Sequence, residues 1–465
     1  MTFWTGEIND AYRFEAEVGF YDTTLRDGEQ TVGVVLSPED KLELASGLDE
    51  LGIERIEAGF PRVSDEDRRA VELILAAGLS AEIWGFSRAV EADVKALVML
   101  GVEASVIESP ISDLKLDALG VDREAMLERI EAGFPRVSDE DRRAVELILA
   151  AGLSAEIWGF SRAVEADVKA LVMLGVEASV IESPISDLKL DALGIDREAM
   201  LERIVYAISF AVEQGMTVAF FGVDGTRADR SYFETVYKTA VEAGAQEAVV
   251  VDTIGIASPE AVAELVGRTR EWLHPDVPIH FHGHNDFGLA TAAAVAAARS
   301  GARWIQGTIN GMGERAGNAN LPEVALALRG LYGVETNLRL DRVRAFSGRL
   351  RDISGYDLEP YKPLVGDNLF RRESGAVASQ FHDPPAIEPY SSELVAADRR
   401  VVLGKKSGID SIRIKARELG LELPDEAQRE LLVRVKELAA EQRRLVDDDE
   451  FRRLADGLES PRKTA

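Results

Sequence analysis

The 465-residue chain has no cysteine, which excludes a disulfide scaffold, a thiolate metal site and a cysteine nucleophile. No stretch approaches the roughly 18 uninterrupted apolar residues of a membrane-spanning helix. Basic charge is scarce, with 53 Lys and Arg against 82 Asp and Glu, a net charge of −29. Such a surface repels phosphate backbones and anionic lipid, so neither nucleic acid nor membrane is an expected partner. Residues Met1 to Glu17 lack a basic start followed by an apolar run; no secretory signal is read, and the cytoplasm is the expected compartment. What is present, 46% hydrophobic and 29% charged residues with 39 glycines, is the composition of a soluble globular protein long enough for an enzyme-sized core.

The letters repeat once. Glu54 to Leu127 recur as Glu128 to Leu201, an offset of 74 residues, with Val121 against Ile195 as the single difference. Solenoid repeats diverge because each must suit its own neighbours, so two near-identical copies read as a tandem duplication. One copy carries 15 acidic and 8 basic residues, and the 391 residues left without it stay acidic.

With one copy set aside, β-branched runs alternate with helical patterns. The expected strands are 18–21, 55–59, 81–86, 178–182, 217–221, 248–252, 279–284 and 304–308. The helices are 38–51, 65–77, 91–100, 197–213, 231–243, 259–272, 287–300 and 322–331. Eight such units predict an α/β fold, a (β/α)8 barrel, whose chemistry lies where the strands end. The expected organisation is an N-terminal extension (1–17), a barrel (18–336, with 54–127 and 128–201 as copies, one of them surplus) and small accessory subdomains (337–465) that include a charged helical tail, 425–457.

Three strand ends carry chemistry. His280, His282 and His284 share one face of the seventh strand, because side chains on a strand alternate. Two imidazoles at the rim suit a divalent cation, although a His-x-His pair is also an ordinary polar strand end. The first strand runs into Asp22-Thr23-Thr24-Leu25-Arg26-Asp27-Gly28-Glu29-Gln30, a cation and acids at the same rim. After the last strand, Gly311-Met312-Gly313-Glu314-Arg315-Ala316-Gly317-Asn318 is a glycine-rich turn that lets backbone approach a ligand closely.

Together these segments resemble the metal-dependent DRE-TIM acyltransferases, the 2-isopropylmalate synthase and homocitrate synthase group. The motifs are D-T-T-L-R-D-G-E-Q, I-E-A-G-F-P, H-x-H-N-D-x-G-L-A and G-x-G-E-R-A-G-N, and the likeness runs from about Phe20 to the end, apart from the extra copy. The resemblance implies Asp27, His282 and His284 as ligands of a divalent ion (Zn, Mn, Mg or Co), with Asn318 in or beside the coordination sphere and Arg26 as catalytic cation. The family's second-strand glutamate matches both Glu57 and Glu131, of which one can take the position. The implied reaction is a Claisen condensation: an acyl-CoA, acetyl-CoA above all, loses an α-proton and attacks the ketone of a 2-oxo acid, and water then hydrolyses the thioester to release CoA. Arg88 or its copy Arg162, with Thr308, are candidates to hold acceptor carboxylates, with Gln30 a further substrate contact; a surface cation is the other reading of Arg88. A homodimer is implied as well.

The chain departs from the family pattern in three places. Where these synthases carry H-E-S-G-I-H, it has Arg372-Glu373-Ser374-Gly375-Ala376-Val377, which leaves Glu373 as the catalytic candidate there. G-K-H-S-G becomes Gly404-Lys405-Lys406-Ser407-Gly408, and an E-D pair becomes Val223-Asp224. These changes point to an unusual acceptor, a changed base or a paralogue of lowered activity. With the tail ending near Ala465, no leucine-sensing domain and no leucine feedback are expected, and a lyase of the hydroxymethylglutaryl-CoA type would need a cysteine. Competing readings are an inactive metal-binding paralogue, a poorly folded duplication product, a citramalate synthase or an aldol-type lyase of the same superfamily. Eight places for eleven candidate strands make a larger barrel an unfavourable expectation. The second copy is expected to be seated, with Glu131, Arg162 and Ser183 in the site, because that keeps the fourth helix continuous.

Overall fold

The computed structural model describes residues 2–59, 64–88, 104–108, 158–163, 168 and 178–459. The expected helix 91–100 and Glu131 lie outside them. The chain divides into two compact units, one of residues 12–339 and 346–356, the other of 1–11, 340–345 and 357–465.

The larger unit is an α/β, TIM-barrel-like assembly of parallel strands and helices. Its strands are β1 (Gly19–Asp22), β2 (Arg55–Glu57), β3 (Glu82–Arg88), β4 (Ala104–Glu108), β5 (Trp158–Arg162), β6 (Ala178–Pro184), β7 (Thr217–Val223), β8 (Glu247–Asp252), β9 (Ile279–Gly283) and β10 (Trp304–Gly307). They form one sheet in the order β4-β3-β2-β1-β10-β9-β8-β7-β6-β5, and the outermost two lie beside each other. All eight expected strands are present, and β4 and β5 stand between β3 and β6.

Both copies therefore feed the sheet, which corrects the expectation that one would be seated and the other excluded. Each brings its own complementary pair. Trp84 to Arg88 align with Ala104 to Glu108, and Trp158 to Arg162 align with Ala178 to Glu182 in the same register. An excluded strand pair would leave rows of unsatisfied N–H and C=O groups at its edges, and joining the sheet satisfies them.

Helix α1 (Pro38–Glu50) follows β1, α2 (Asp65–Ala76) follows β2, α3 (Asp187–Leu193) and α4 (Arg197–Glu213) follow β6, and α5 (Arg230–Glu242), α6 (Pro259–Trp272), α7 (Ala290–Arg299) and α8 (Leu321–Leu331) follow β7 to β10 in turn. Their starts follow local chemistry. Ser37 caps α1 in a capping box with Asp40, and Ser258 caps α6 ahead of Pro259, caps worth about 1 kcal/mol each. Phe20, Ile305, Phe281 and Val250 form a fully buried row on one face of the sheet, and on the same face Phe220, level with Ala248, meets Tyr237 of α5 edge-on at 5.3 Å.

On the other face Tyr21 meets Trp84, two strands away, at 5.5 Å. The Arg55 guanidinium lies 4.0 Å from the Trp304 ring and 5.4 Å from that of Trp84. Contacts that skip a strand require a curled sheet, and the curl gathers the strand ends.

The smaller unit holds the two-stranded parallel ladder β11 (Arg371–Arg372) and β12 (Arg400–Val401) with helices α9 (Ile409–Glu418), α10 (Asp425–Gln442) and α11 (Asp448–Glu459). Leu403, Ile412, Leu431, Val435 and Phe451 are its core. The expected charged helical tail, 425–457, consists of two helices, parted where Arg443 turns to φ 55°. Among the described residues no helix is long and apolar enough to cross a membrane.

Candidate metal centre and active site

The end of β1 is fastened before it presents anything. Asp22, fully buried, accepts hydrogen bonds from the Thr24 backbone N–H and hydroxyl, both at 2.9 Å. The Thr24 hydroxyl oxygen accepts the Ile309 N–H at 2.9 Å, which ties this loop to the one after β10. Burial above all, with Glu57 nearby, pushes the Asp22 carboxyl up to about 7 against the pull of the Thr24 hydrogen bonds.

Asp27 then comes to His282 and His284. One ligand atom from each of the three lies within 4.8 Å of the other two, and the two Nε2 atoms are 3.3 Å apart. Asn318 donates its side-chain amide to Asp27 Oδ2 at 2.7 Å. The glycines of the last loop make that approach feasible. A Cβ at Gly313 would stand 2.8 Å from Asn318 Nδ2, and one at Gly317 would stand 2.0 Å from the Gly311 carbonyl oxygen.

The protonation states suit a cation. Burial raises the Asp27 carboxyl, but the Arg26 guanidinium, His282 and the Asn318 hydrogen bond outweigh it and hold the group below its ordinary range. Burial and then the neighbouring His284 push His282 down to about 4, and burial likewise lowers His284. At neutral pH the set is one carboxylate and two neutral imidazoles, the form in which such ligands bind a divalent metal. His284 Nδ1 and Asn318 Oδ1 are buried with no hydrogen-bond partner, so the cluster is not a satisfied network of its own. These residues fit a divalent ion.

Arg26 lies alongside. Its Nε and Nη2 reach Glu57 Oε2 at 3.0 and 2.8 Å, and Nη1 is 3.9 Å from Asp27 Oδ1. Burial works against the guanidinium's charge, but Glu57 and Asp27 override it and raise its pKa further. The acid filling the second-strand position is thus Glu57 of the first copy, not the expected Glu131.

The other expected residues lie as follows. Thr308 is fully buried, and its hydroxyl donates to the Met312 carbonyl at 2.6 Å, bracing the glycine loop. Gln30 is exposed, at the end of the turn after Asp27. Arg88 and Arg162 end β3 and β5, level with Glu108 and Glu182; their side chains lie outside what is described. Ser183 is buried on β6. Ser186 donates to Asp224 at 2.5 Å, and Arg227 holds the same carboxylate through two bonds of 2.7 Å.

Glu373 belongs to the smaller unit, where it accepts the Lys406 N–H at 2.9 Å, so the two departing segments meet each other. Sequence reasoning assigned nothing to Arg315 and Asp286, which form a bidentate pair at 2.9 Å between two of these loops. Opposite charges in H-N-D and G-E-R, segments that follow adjacent strands, were the available signal.

Comparisons with known proteins identify the family. The HMGL-like family matches residues 17–129 and 115–349, and a homocitrate synthase post-HMGL domain-like family matches residues 364–443. The homocitrate synthase AksA of Methanopyrus kandleri is 36% identical over 93% of this chain and 90% of its own length. A putative (R)-citramalate synthase CimA of the same organism is 35% identical over 93% and 71%. The 2-isopropylmalate synthase of Methanocaldococcus jannaschii is 33% identical over 93% and 70%. Matched along its barrel and similar to these synthases over nine-tenths of its length, the chain belongs to the HMGL-like family, in the company of the homocitrate, isopropylmalate and citramalate synthases.

Proposed function

We propose that the chain is an acyl-CoA:2-oxo acid C-acyltransferase, condensing acetyl-CoA with a 2-oxo acid and releasing CoA. The observation that carries the reading is the convergence of Asp27, His282 and His284 on one point beside Arg26. A divalent ion held by that carboxylate and those two imidazoles, with Asn318 beside it, supplies Lewis acidity toward a chelating keto acid.

The protein's own groups do the rest. Arg26, kept cationic and oriented by Glu57, is placed to stabilise negative charge developing on the ketone oxygen, an effect worth several kcal/mol in a water-poor site. Glu57 acts by holding Arg26, since its Oε2 takes both Nε and Nη2. Asn318 holds the Asp27 carboxylate in place, and the braced loops keep these groups from drifting, which is how orientation lowers a barrier.

The relatives' names, homocitrate, isopropylmalate and citramalate synthase, define the acceptors to try. Free CoA release from acetyl-CoA should depend on one of 2-oxoglutarate, 2-oxoisovalerate, pyruvate or oxaloacetate and stop on chelation. No turnover with any of them in folded, metal-loaded protein would sink the proposal. A second reading, a metal-binding chain without turnover, draws on Glu373, whose carboxylate is engaged by the Lys406 N–H in the segment that lacks both family histidines. The same assay separates the two.

A further inference from the structure

Three strand-end loops meet at one side chain outside the chemistry described so far. Arg315 Nε and Nη2 donate to Asp286 Oδ1 and Oδ2, each at 2.9 Å, and Nη2 also donates to the Thr253 carbonyl at 3.0 Å. Thr253 follows β8, Asp286 follows β9, and Arg315 lies in the loop after β10. A planar guanidinium with its donors in a fixed fork fixes direction as well as distance, which a point charge does not.

The loops after β9 and β10 carry His284 and Asn318. Those two residues form an isolated antiparallel bridge, and the Asn285 N–H donates to the Gly317 carbonyl at 2.9 Å. Arg315 and Asp286 thus sit three and two residues from the pair that must be spaced correctly around Asp27.

Arg315 also has φ 55°, a left-handed conformation in which a Cβ crowds the following carbonyl. The same loop has glycine at 311, 313 and 317, and glycine at 315 would relieve that crowding. A strained arginine here is accounted for by what its side chain holds.

We propose that Arg315 is a positioning residue: by clamping Asp286 and Thr253 it fixes the spacing of His284 and Asn318 about Asp27 and so sets the site's affinity for a divalent cation. This rests on reading Asp27, His282 and His284 as a ligand set. The test is calorimetric titration of Mn²⁺ or Zn²⁺ into metal-stripped full-length protein, comparing wild type with Arg315→Gly, Arg315→Lys and Asp286→Asn. Arg349→Met, which breaks an exposed pair with Glu43, is the control.

The expected result is a loss of affinity of about 10- to 100-fold for Arg315→Gly and Asp286→Asn, the usual scale for groups that orient metal ligands. Arg315→Lys should lie between these and wild type, and the control should match wild type. Arg315→Lys also keeps the test open should Arg315→Gly fail to fold. A merely structural role would lower the melting temperature of metal-free Arg315→Gly and leave its affinity at the wild-type value, and that result overturns the clamp. Wild type that takes up no ion overturns the ligand set and the clamp with it.

Discussion

Arg26 stands between two carboxylates with different tasks, Glu57 at 2.8 Å and Asp27 at 3.9 Å. Arg26→Lys keeps the charge and loses the fork held by Glu57, so kcat should fall about 100-fold while metal affinity shifts only a few-fold; steady-state kinetics beside calorimetry checks the split. Glu57→Gln leaves a largely buried guanidinium without its main counter-charge and should destabilise the fold by roughly 3–5 kcal/mol, read from urea unfolding.

His282 gives a pH dependence. Burial holds its folded pKa at about 4, below the roughly 6.5 of an unfolded histidine. As pH falls through that interval the unfolded chain takes up a proton that the folded chain refuses, so metal-free protein should lose stability between about pH 6.5 and 4. Melting curves of chelated protein should show this loss, and His282→Gln should flatten it.

That Asp27, His282, His284 and Asn318 come together was legible, the histidine pair from its place at a strand end and Asp27 and Asn318 from the family resemblance. The Arg315–Asp286 pair was not assigned, since which charges meet across loops depends on folded distances that no local pattern carries. Thr308, a candidate to hold an acceptor carboxylate from its place at a strand end, donates its hydroxyl to the Met312 carbonyl, a bond that no local pattern announces.

At the scale of elements, α4 and α6 fall at their expected bounds, since Asp196 and Ser258 cap them as side-chain acceptors. The break between α10 and α11 went unread because an arginine, not a glycine, takes the left-handed turn at 443. Seating of the repeat was not legible either, as identical letters cannot say which copy goes where.

Identical letters also carry a consequence. Ala104–Glu108 pair with β3 as Ala178–Glu182 pair with β5, and the latter also pair with β7. One such strand has both edges needed to join β3 directly to β7. A 391-residue chain lacking residues 128–201 should therefore fold with eight strands, bind metal with affinity within a few-fold of the full chain, and melt at no lower temperature. Failure of that shorter chain to fold would show that both copies are required.

For the molecule as a whole, an ion held at the proposed site would link metal binding to folding. An ion that binds only the native state adds about 2.7 kcal/mol when present at 100 times its dissociation constant, so chelation should lower the melting temperature of the full chain and added ion should restore it. The same chelation should not move the melting temperature of Asp27→Asn.

The most direct test is anomalous diffraction from crystals grown with zinc. The expected result is one strong peak roughly 2.0–2.2 Å from His282 Nε2, His284 Nε2 and a carboxylate oxygen of Asp27. Ordered protein with no peak at that point, or with the ion bound by other residues, would contradict the assignment of these three side chains as the metal site.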